Sequence, residues 1–423
     1  MKVFKFGGAS VKDASAVRNV SDILKMFNGE KITVVISAMG KTTNKLEEIV
    51  KAYQNHDRKM FMAHVDDLYN FHMDIMGELF HERHYTIFNE VEDQFELLRK
   101  KIDQPFPDNY SFAYDQIVSM GEVISTHIVA SYLFENGLLA AWADSRTLVR
   151  TDNQYQEGKV DWDKTESLIS SRFKPLFDTN DIVITQGFVG HTPEGFTTTL
   201  GREGSDYTAA IFAYCCDAES VTIWKDVPGM LNADPKWFDN TIKLDKISFK
   251  EAIELSYYGA SVIHPKTVKP LQNKNIPLYV KSFIDPKAEG TVIQASTDYD
   301  HLVPSFIFKM DQLLFSITTK DFSFIVEENL SDIFSRLSNA NAKINLMQNS
   351  ALSFSILLDH SKVEPEKILQ LFNDTYAVKY NEGLELVTIR HYDQATIDRV
   401  TEGKEIILEQ KTRQTIRIVM KNK

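Results

Sequence analysis

Cysteine is almost missing: the chain has two, Cys215 and Cys216, and they are adjacent. That spacing suits neither a disulfide framework nor a zinc site, and the surrounding AAIFAYCCDAES reads as core. The N-terminus, MKVFKFGG, enters a strand-like alternation with no secretory h-region, and no apolar run is long enough to span a bilayer. The expectation is a cytoplasmic protein with no membrane partner. Positive charge is in deficit, 47 Lys and Arg against 59 Asp and Glu for a net charge of -12. With no dense basic stripe, this argues against a nucleic-acid partner, because phosphate backbones are held by basic faces. A small anion is still possible, since a local pocket need not follow the global sign. The G-x-x-x-x-G-K-[ST] phosphate loop and the dinucleotide glycine fingerprint are missing as well.

What is present is a long chain, 423 residues, enough for two or three domains, with the 43% hydrophobic and 25% charged content of an ordinary soluble protein. KVFKF reads as a strand ending in Gly7-Gly8, after which Ala14, Val17, Val20, Leu24 and Phe27 recur at helical spacing. Ile32 to Ile36 is a second strand, followed by a helix with Asn44 as N-cap and Glu47 three residues on. Strands alternating with helices predict an α/β domain built on an open, mostly parallel sheet. Residues 51–110 read as a helical segment, and SFAYDQIVSMGEVISTHIVASYLFENG as one further helix. Near Asp285 the composition shifts toward Pro, Gly, Ser and Asp, which marks a domain boundary. Beyond it the order βαββαβ is that of a ferredoxin-like α+β unit, and the remaining segments start a second such unit that ends early.

The stretch TTLGREGSDYTAA, Thr198 to Ala210, packs two glycines, an Arg-Glu pair and a Ser-Asp pair before a helix. One reading is a structural turn in which Gly201 and Gly204 take positive φ and Ser205 or Asp206 caps the helix. The other is a loop gripping an anionic substrate at a helix N-terminus. Three more glycine turns, KFGGAS, SAMGKTTN and GFVG, end strands that would be parallel, and ligands of open α/β sheets bind at those ends. Together with Lys5 and Arg202 they favour phosphate handling.

These motifs, with SMGE, ITQGFVG, WKDVPGMLNADP, EAIELSYYGASVIHP and EGTVI in order along the chain, resemble the aspartate kinases of the amino-acid kinase superfamily. The resemblance implies an amino-acid-kinase-type open, mostly parallel sheet sandwiched by helices over 1–294. Regulatory ACT domains of ferredoxin-like α+β fold follow over 303–423, the first unit at about 312–380 and a shortened second at about 384–423. It implies ATP-dependent phosphorylation of the L-aspartate side-chain carboxylate to 4-phospho-L-aspartate, the first step of lysine, threonine and methionine biosynthesis. ATP and Mg²⁺ are the implied cofactors, with no resident metal site. By the same resemblance Lys5, which stabilises the transferring phosphoryl group, and Asp206 are catalytic; Arg202 takes the α-carboxylate and Glu122 the α-ammonium of aspartate; Ser37, Thr43 and Ser205 orient the substrate. Gly7, Gly8, Lys225, Asp226, Lys236 and Lys266 fall on the nucleotide side. The chemistry needs no strong base, because a carboxylate with a pKa of about 4 is already ionised. Its difficulty is charge, which positioning and electrostatic stabilisation must overcome.

Departures from the family pattern cluster on the nucleotide side. Lys225 stands where the family usually has threonine, Leu231 where it has tyrosine, Lys236 where arginine is common, Ser261 where a lysine reaches the nucleotide, and Glu203 where glycine is frequent. Lys225 or Lys266 would supply the missing positive charge. Asn345, Asn349 and Ser350 are the effector candidates, for lysine or threonine, and ACT pairing implies a homodimer. No dehydrogenase segment follows, which speaks against a bifunctional form. Two alternatives accompany this reading: another superfamily kinase acting on glutamate, acetylglutamate or uridylate, and a catalytically impaired amino-acid sensor with the kinase fold.

Overall fold

The computed structural model describes residues 1–81, 86–260, 263–321 and 323–423. Its contacts divide the chain into two units. The first comprises Met1–Met230, Lys243–Ile253 and Val262–Tyr299; the second comprises Leu231–Ile242, Glu254–Ser261 and Asp300–Lys423. The Ser261 departure lies outside the described residues.

The strands of the first unit are β1 (Lys2–Phe6), β2 (Ile32–Ile36), β3 (Ala140–Ala143), β4 (Ile182–Gln186), β5 (Val189–His191), β6 (Thr197–Thr199), β7 (Ser220–Lys225), β8 (Lys246–Ser248), β9 (Leu278–Ser282) and β10 (Thr291–Gln294). Eight form one sheet in the order β3-β4-β2-β1-β7-β9-β10-β8, while β5 and β6 make a separate hairpin. Every pairing in the large sheet is parallel except β9 with β10. Parallel sheets need cover on both faces, which is why β2, ITVVI, is buried along its whole length. Phe6 pairs with Ile36 and Trp224, and Ile36 with Gln186, so β1, β2, β4 and β7 end level. The glycine turns KFGGAS, SAMGKTTN and GFVG leave β1, β2 and β4, and they and the 226–229 turn after β7 lie at the same end of the sheet.

The crossover helices are α1 (Ala14–Lys25), α2 (Thr42–Gln54), α3 (Arg58–Leu79), α4 (Thr86–Arg99), α5 (Tyr110–Val118), α6 (Met120–Glu135), α7 (Trp162–Leu168), α8 (Gly204–Cys216), α9 (Phe249–Tyr258) and α10 (Pro265–Asn273). Asp13 caps α1 by accepting from Ala16 N at 2.8 Å. Asn44 is not the cap of α2: the helix starts at Thr42 with Lys41 at the N-cap position, leaving Asn44 inside the first turn. The expected single helix after residue 109 is two helices meeting at Ser119. Tyr110–Glu135 is, contrary to the sequence expectation, long and apolar enough to cross a membrane, with mean hydropathy 1.4. The apolar surface is used differently here: 72% of its most apolar 18-residue window is buried within the protein. Glycine at 121 permits this packing, because a Cβ there would lie 2.9 Å from Thr42 Cγ2 of α2. Cys215 is buried, and burial pushes both thiols up to about 12, as befits core residues.

The second unit carries β11 (Ser305–Thr319), α11 (Glu327–Asn339), β12 (Ile344–Asn349), β13 (Ser353–Asp359), α12 (Pro365–Phe372), β14 (Tyr376–Arg390), α13 (Gln394–Thr401), β15 (Lys404–Lys411) and β16 (Thr415–Asn422). They form a six-stranded sheet in the order β12-β13-β11-β14-β16-β15, antiparallel throughout. The βαββαβ order expected from the sequence is present. The second repeat that seemed to end early is completed in space: β11 and β14 are each 15 residues long, and Ser305–Lys309 of β11 pairs with Leu386–Arg390 of β14. The first half of β11 therefore supplies the strand that the C-terminal segments lack, and a register shift between Lys309 and Gln312 separates the two halves. The sheet curls enough that its two edge strands touch through side chains: Gln410 of β15 donates to Met347 O of β12 at 2.6 Å.

Candidate functional site

At the level ends of β1, β2, β4 and β7 lies a cavity of about 540 Å³. Lys5, the fourth residue of β1, points its ammonium there and stands 2.6 Å from Asp206 Oδ1. Lys225, the last residue of β7, reaches the other oxygen, Oδ2, at 3.7 Å. Asp206 itself lies in the first turn of α8 and is buried. One carboxylate thus holds two lysine ammoniums beside a helix N-terminus.

The α8 entry differs from the expectation in its details. Gly201 has φ +75, as required of the turn, but the second left-handed residue is Glu203, at φ 55, and not Gly204. Gly204 is needed for proximity: a Cβ there would fall 2.6 Å from Phe188 Cδ2. Neither Ser205 nor Asp206 is the cap. The helix begins at Gly204, Glu203 takes the N-cap position without a capping side-chain bond, and both expected caps sit in the first turn. Their side chains are consequently free of capping duty and line the cavity. Glu203 Oε2 is buried there with no hydrogen-bond partner among the described residues.

Glu122 enters from the first turn of α6. Its Oε1 accepts from Ala38 N at 3.3 Å, while Oε2 is buried with no partner among the described residues. Burial raises the carboxyl to about 8, against hydrogen bonding from Ala38 and the charge of Lys5, which favour ionisation. Ser37 follows β2 with its backbone fixed, N donating to Phe6 O at 3.1 Å and O accepting from Ser125 Oγ at 2.8 Å. Thr43 and Arg202 complete the wall, Arg202 at the exposed mouth.

Eight of the sequence candidates therefore meet in one cavity: Lys5, Ser37, Thr43, Glu122, Arg202, Ser205, Asp206 and Lys225. Lys266 is near the rim, 3.7 Å from Glu157, which lines it. Gly7 and Gly8 shape the edge without lining it: a Cβ on Gly8 would meet Ala38 O at 2.8 Å and Gly40 O at 2.9 Å. Asp226 sits in the exposed turn after β7 and does not line the cavity. Lys236 belongs to Leu231–Ile242 of the second unit, its ammonium 4.8 Å from the Trp237 ring centroid. Sequence reasoning missed Asp115, a buried residue that accepts from Thr199 Oγ1 at 2.7 Å, Thr199 N at 2.9 Å and Gln156 N at 3.0 Å. It ties together two lining residues, and burial raises it to about 6 despite those three bonds. Tyr114, also in the lining, donates to Glu47 at 2.8 Å. No local motif marks either residue.

The effector candidates lie in the second unit. Asn349 ends β12, and Ser350 is engaged in its own turn, N donating to Ser353 O at 2.8 Å. Asn345 is half-buried, its side-chain oxygen accepting from Lys309 Nζ at 2.7 Å.

The model of the amino acid kinase family matches residues 1–282. The chain is 30% identical over 412 residues to the lysine-sensitive aspartokinase 3 of Escherichia coli (strain K12), covering 96% of this chain and 89% of the relative. It is 31% identical over 403 residues to the bifunctional aspartokinase/homoserine dehydrogenase of Buchnera aphidicola subsp. Acyrthosiphon pisum, covering 91% of this chain and 47% of that one. Among solved structures, Escherichia coli aspartokinase III in complex with aspartate and ADP superposes with a TM-score of 0.81 at 28% identity, over 100% of this chain and 96% of that one.

Proposed function

Since the chain belongs to the amino acid kinase family, and within it to the aspartokinases, we propose how its own residues carry a phosphoryl group from ATP to the side-chain carboxylate of L-aspartate. The observation that carries the assignment of roles is the convergence of Lys5, Asp206, Glu122 and Arg202 on one cavity. Two of these groups match the two charges of an amino acid, and the other two stand where its side chain would meet a phosphate.

The Arg202 guanidinium at the mouth takes the α-carboxylate, a planar fork matched to a planar acceptor. Glu122 receives the α-ammonium on its unpartnered Oε2. The substrate's side-chain carboxylate is then directed at Lys5, with Lys225 on the nucleotide side. It is an ionised nucleophile already, so the protein moves no proton from it. The obstacle is the approach of one anion to another, and Lys5 neutralises the transferring group in a site where water is displaced. Asp206 holds the Lys5 ammonium in place beforehand, at 2.6 Å, so little reorganisation is left for the transition state.

Among the described residues no group of three or more His, Cys, Asp or Glu could hold a metal. A Mg²⁺ carried on the nucleotide's phosphates would supply charge neutralisation there, and Asp206 is the carboxylate that would stand beside it. The second unit we assign to regulation by an amino acid, by analogy with the lysine-sensitive relative, and a homodimer formed through this unit completes the reading.

The test is to incubate the protein with ATP, Mg²⁺ and L-aspartate in hydroxylamine, which traps an acyl phosphate as a coloured hydroxamate. Glutamate and no amino acid serve as parallel controls. An aspartate-dependent signal is expected; its absence from protein that still binds aspartate would favour the amino-acid sensor instead.

A further inference from the structure

Three elements of the second unit bring two cations to one asparagine. Lys309, at the register shift of β11, donates to Asn345 Oδ1 at 2.7 Å. Arg417 of β16 donates through Nη2 to Asn345 O at 2.5 Å. The asparagine amide is fixed from its other end, Nδ2 donating to Gln312 Oε1 at 2.7 Å, and Gln312 is itself buried and tied to Met310 O at 2.9 Å. Since β12 and β16 are not neighbours in the sheet, the Arg417 contact also bridges the gap across the curl. Tyr258 covers the guanidinium, with its ring centroid 5.3 Å away.

Neither cation has a carboxylate within 4.0 Å among the described residues. Arg417 Nε is buried and has no hydrogen-bond partner among the described residues. The charges that Lys309 feels most are Arg417, Lys343 and Lys362, of its own sign, against Asp359 alone. Burial, followed by the Arg417 charge, brings the Lys309 ammonium down to about 8. Two partly buried cations side by side without a counter-ion are costly, and a guanidinium with an idle Nε leaves a donor that an oxyanion would satisfy.

We propose that Lys309 of β11 and Arg417 of β16 form an oxyanion-binding site beside Asn345, built for the carboxylate or phosphate group of a small molecule of net negative charge. The ligand accepts from Arg417 Nε and from the Lys309 ammonium, and by neutralising both it pins β12 to β16 across the curl. A cationic amino acid is disfavoured at this position, because Lys309 already occupies the Asn345 oxygen that an incoming ammonium would need.

The experiment is a calorimetric titration of the full chain with inorganic phosphate, succinate and, as the cationic control, L-lysine. At least one of the two anions should bind saturably. That binding should weaken roughly tenfold or more in Lys309→Met and in Arg417→Gln, the loss of one charge-assisted hydrogen bond. Lys309→Arg should restore it, and Arg202→Gln, which alters the first-unit cavity, should leave it unchanged. Hydroxamate formation with no succinate or inorganic phosphate added should be the same in Lys309→Met as in the parent chain, which shows that the variant folds and separates this outcome from the kinase reading. Phosphate alone binding would identify a phosphorylated ligand; succinate alone, a carboxylate. The proposal fails if neither anion saturates, if Lys309→Met and Arg417→Gln bind as the parent does, or if L-lysine binds with the same dependence on Lys309 and Arg417.

Discussion

The Lys5 ammonium stands 2.6 Å from Asp206 Oδ1, the one a strand residue and the other in the first turn of α8. This pair links the end of the central strand to the helix that carries the substrate loop, so its two members should fail differently. Lys5→Met should lower turnover by roughly 10²- to 10³-fold or more, the scale seen when one donor to developing charge is removed. Aspartate affinity, read by calorimetry, should stay nearly as it was. Equal loss of both would remove the role given to Lys5. Asp206→Asn should show the same turnover defect with a weaker fold, since it leaves the Lys5 charge buried without its partner.

Burial holds the Glu122 carboxyl at about 8. Near pH 7 it is largely protonated, yet the substrate ammonium requires the carboxylate. Aspartate binding should therefore release a proton at neutral pH, and affinity should rise as pH climbs toward 8. Titration in two buffers of different ionisation enthalpy reads the released proton directly; binding heats that do not change with buffer would contradict this account. Glu122→Gln should abolish the release and weaken aspartate by roughly ten- to a hundredfold. For folding the sign is opposite. The ordinary value is 4.5 and the folded value is higher, so the native chain binds more protons between the two. The resulting stabilisation is full below 4.5 and is lost as pH rises through about 8, a decline that Glu122→Gln should flatten in a series of Tm measurements.

Of the two lysines that could compensate for the altered nucleotide side, Lys225 has the better geometry. It shares Asp206 with Lys5, whereas Lys266 is 40% exposed and paired at 3.7 Å with Glu157. Lys225→Ala should raise the KM for ATP about tenfold with the KM for aspartate little changed. Lys266→Ala should leave ATP affinity where it was, and a tenfold loss there instead would reverse the assignment.

The four strand ends and their glycine turns were legible in the sequence because strand-turn-helix units repeat with clear periodicity, and eight of the candidates meet in the cavity they form. What stayed hidden depends on contacts between distant segments. Asp115 organises the cavity through Thr199 and Gln156, 84 and 41 residues away, and nothing around it in the chain says so. The start of α8 was misread because a residue with a side chain, Glu203, adopts the left-handed conformation where a glycine was expected to. The truncated appearance of the last repeat came from reading elements in order, when one long strand, β11, serves both halves of its sheet.

Glycine gives the sharpest test of how tightly the cavity is built, because two glycines of similar appearance in sequence should respond in opposite ways. Gly187 leaves β4 and faces the first turn of α8, where a Cβ would lie 2.5 Å from Ser205 Cβ and 2.8 Å from Ser205 Cα. These are not flexible tips, so the backbone itself must move. Gly187→Ala should cost about 1–3 kcal/mol of stability as an overpacking change. It should cost more in catalysis, because Ser205 adjoins Asp206 and a displacement of about 1 Å in a positioned group can reduce turnover 10²-fold. Gly77, in the last turn of α3, has nothing within 4 Å of its would-be Cβ. There Gly77→Ala should stabilise by about 0.5–1 kcal/mol, the helical preference of alanine over glycine, with activity unchanged. Tm and kcat measured for both variants give the comparison. If Gly187→Ala kept full turnover, the first turn of α8 could tolerate displacement, and the argument that Asp206 holds Lys5 in a fixed place would lose its basis.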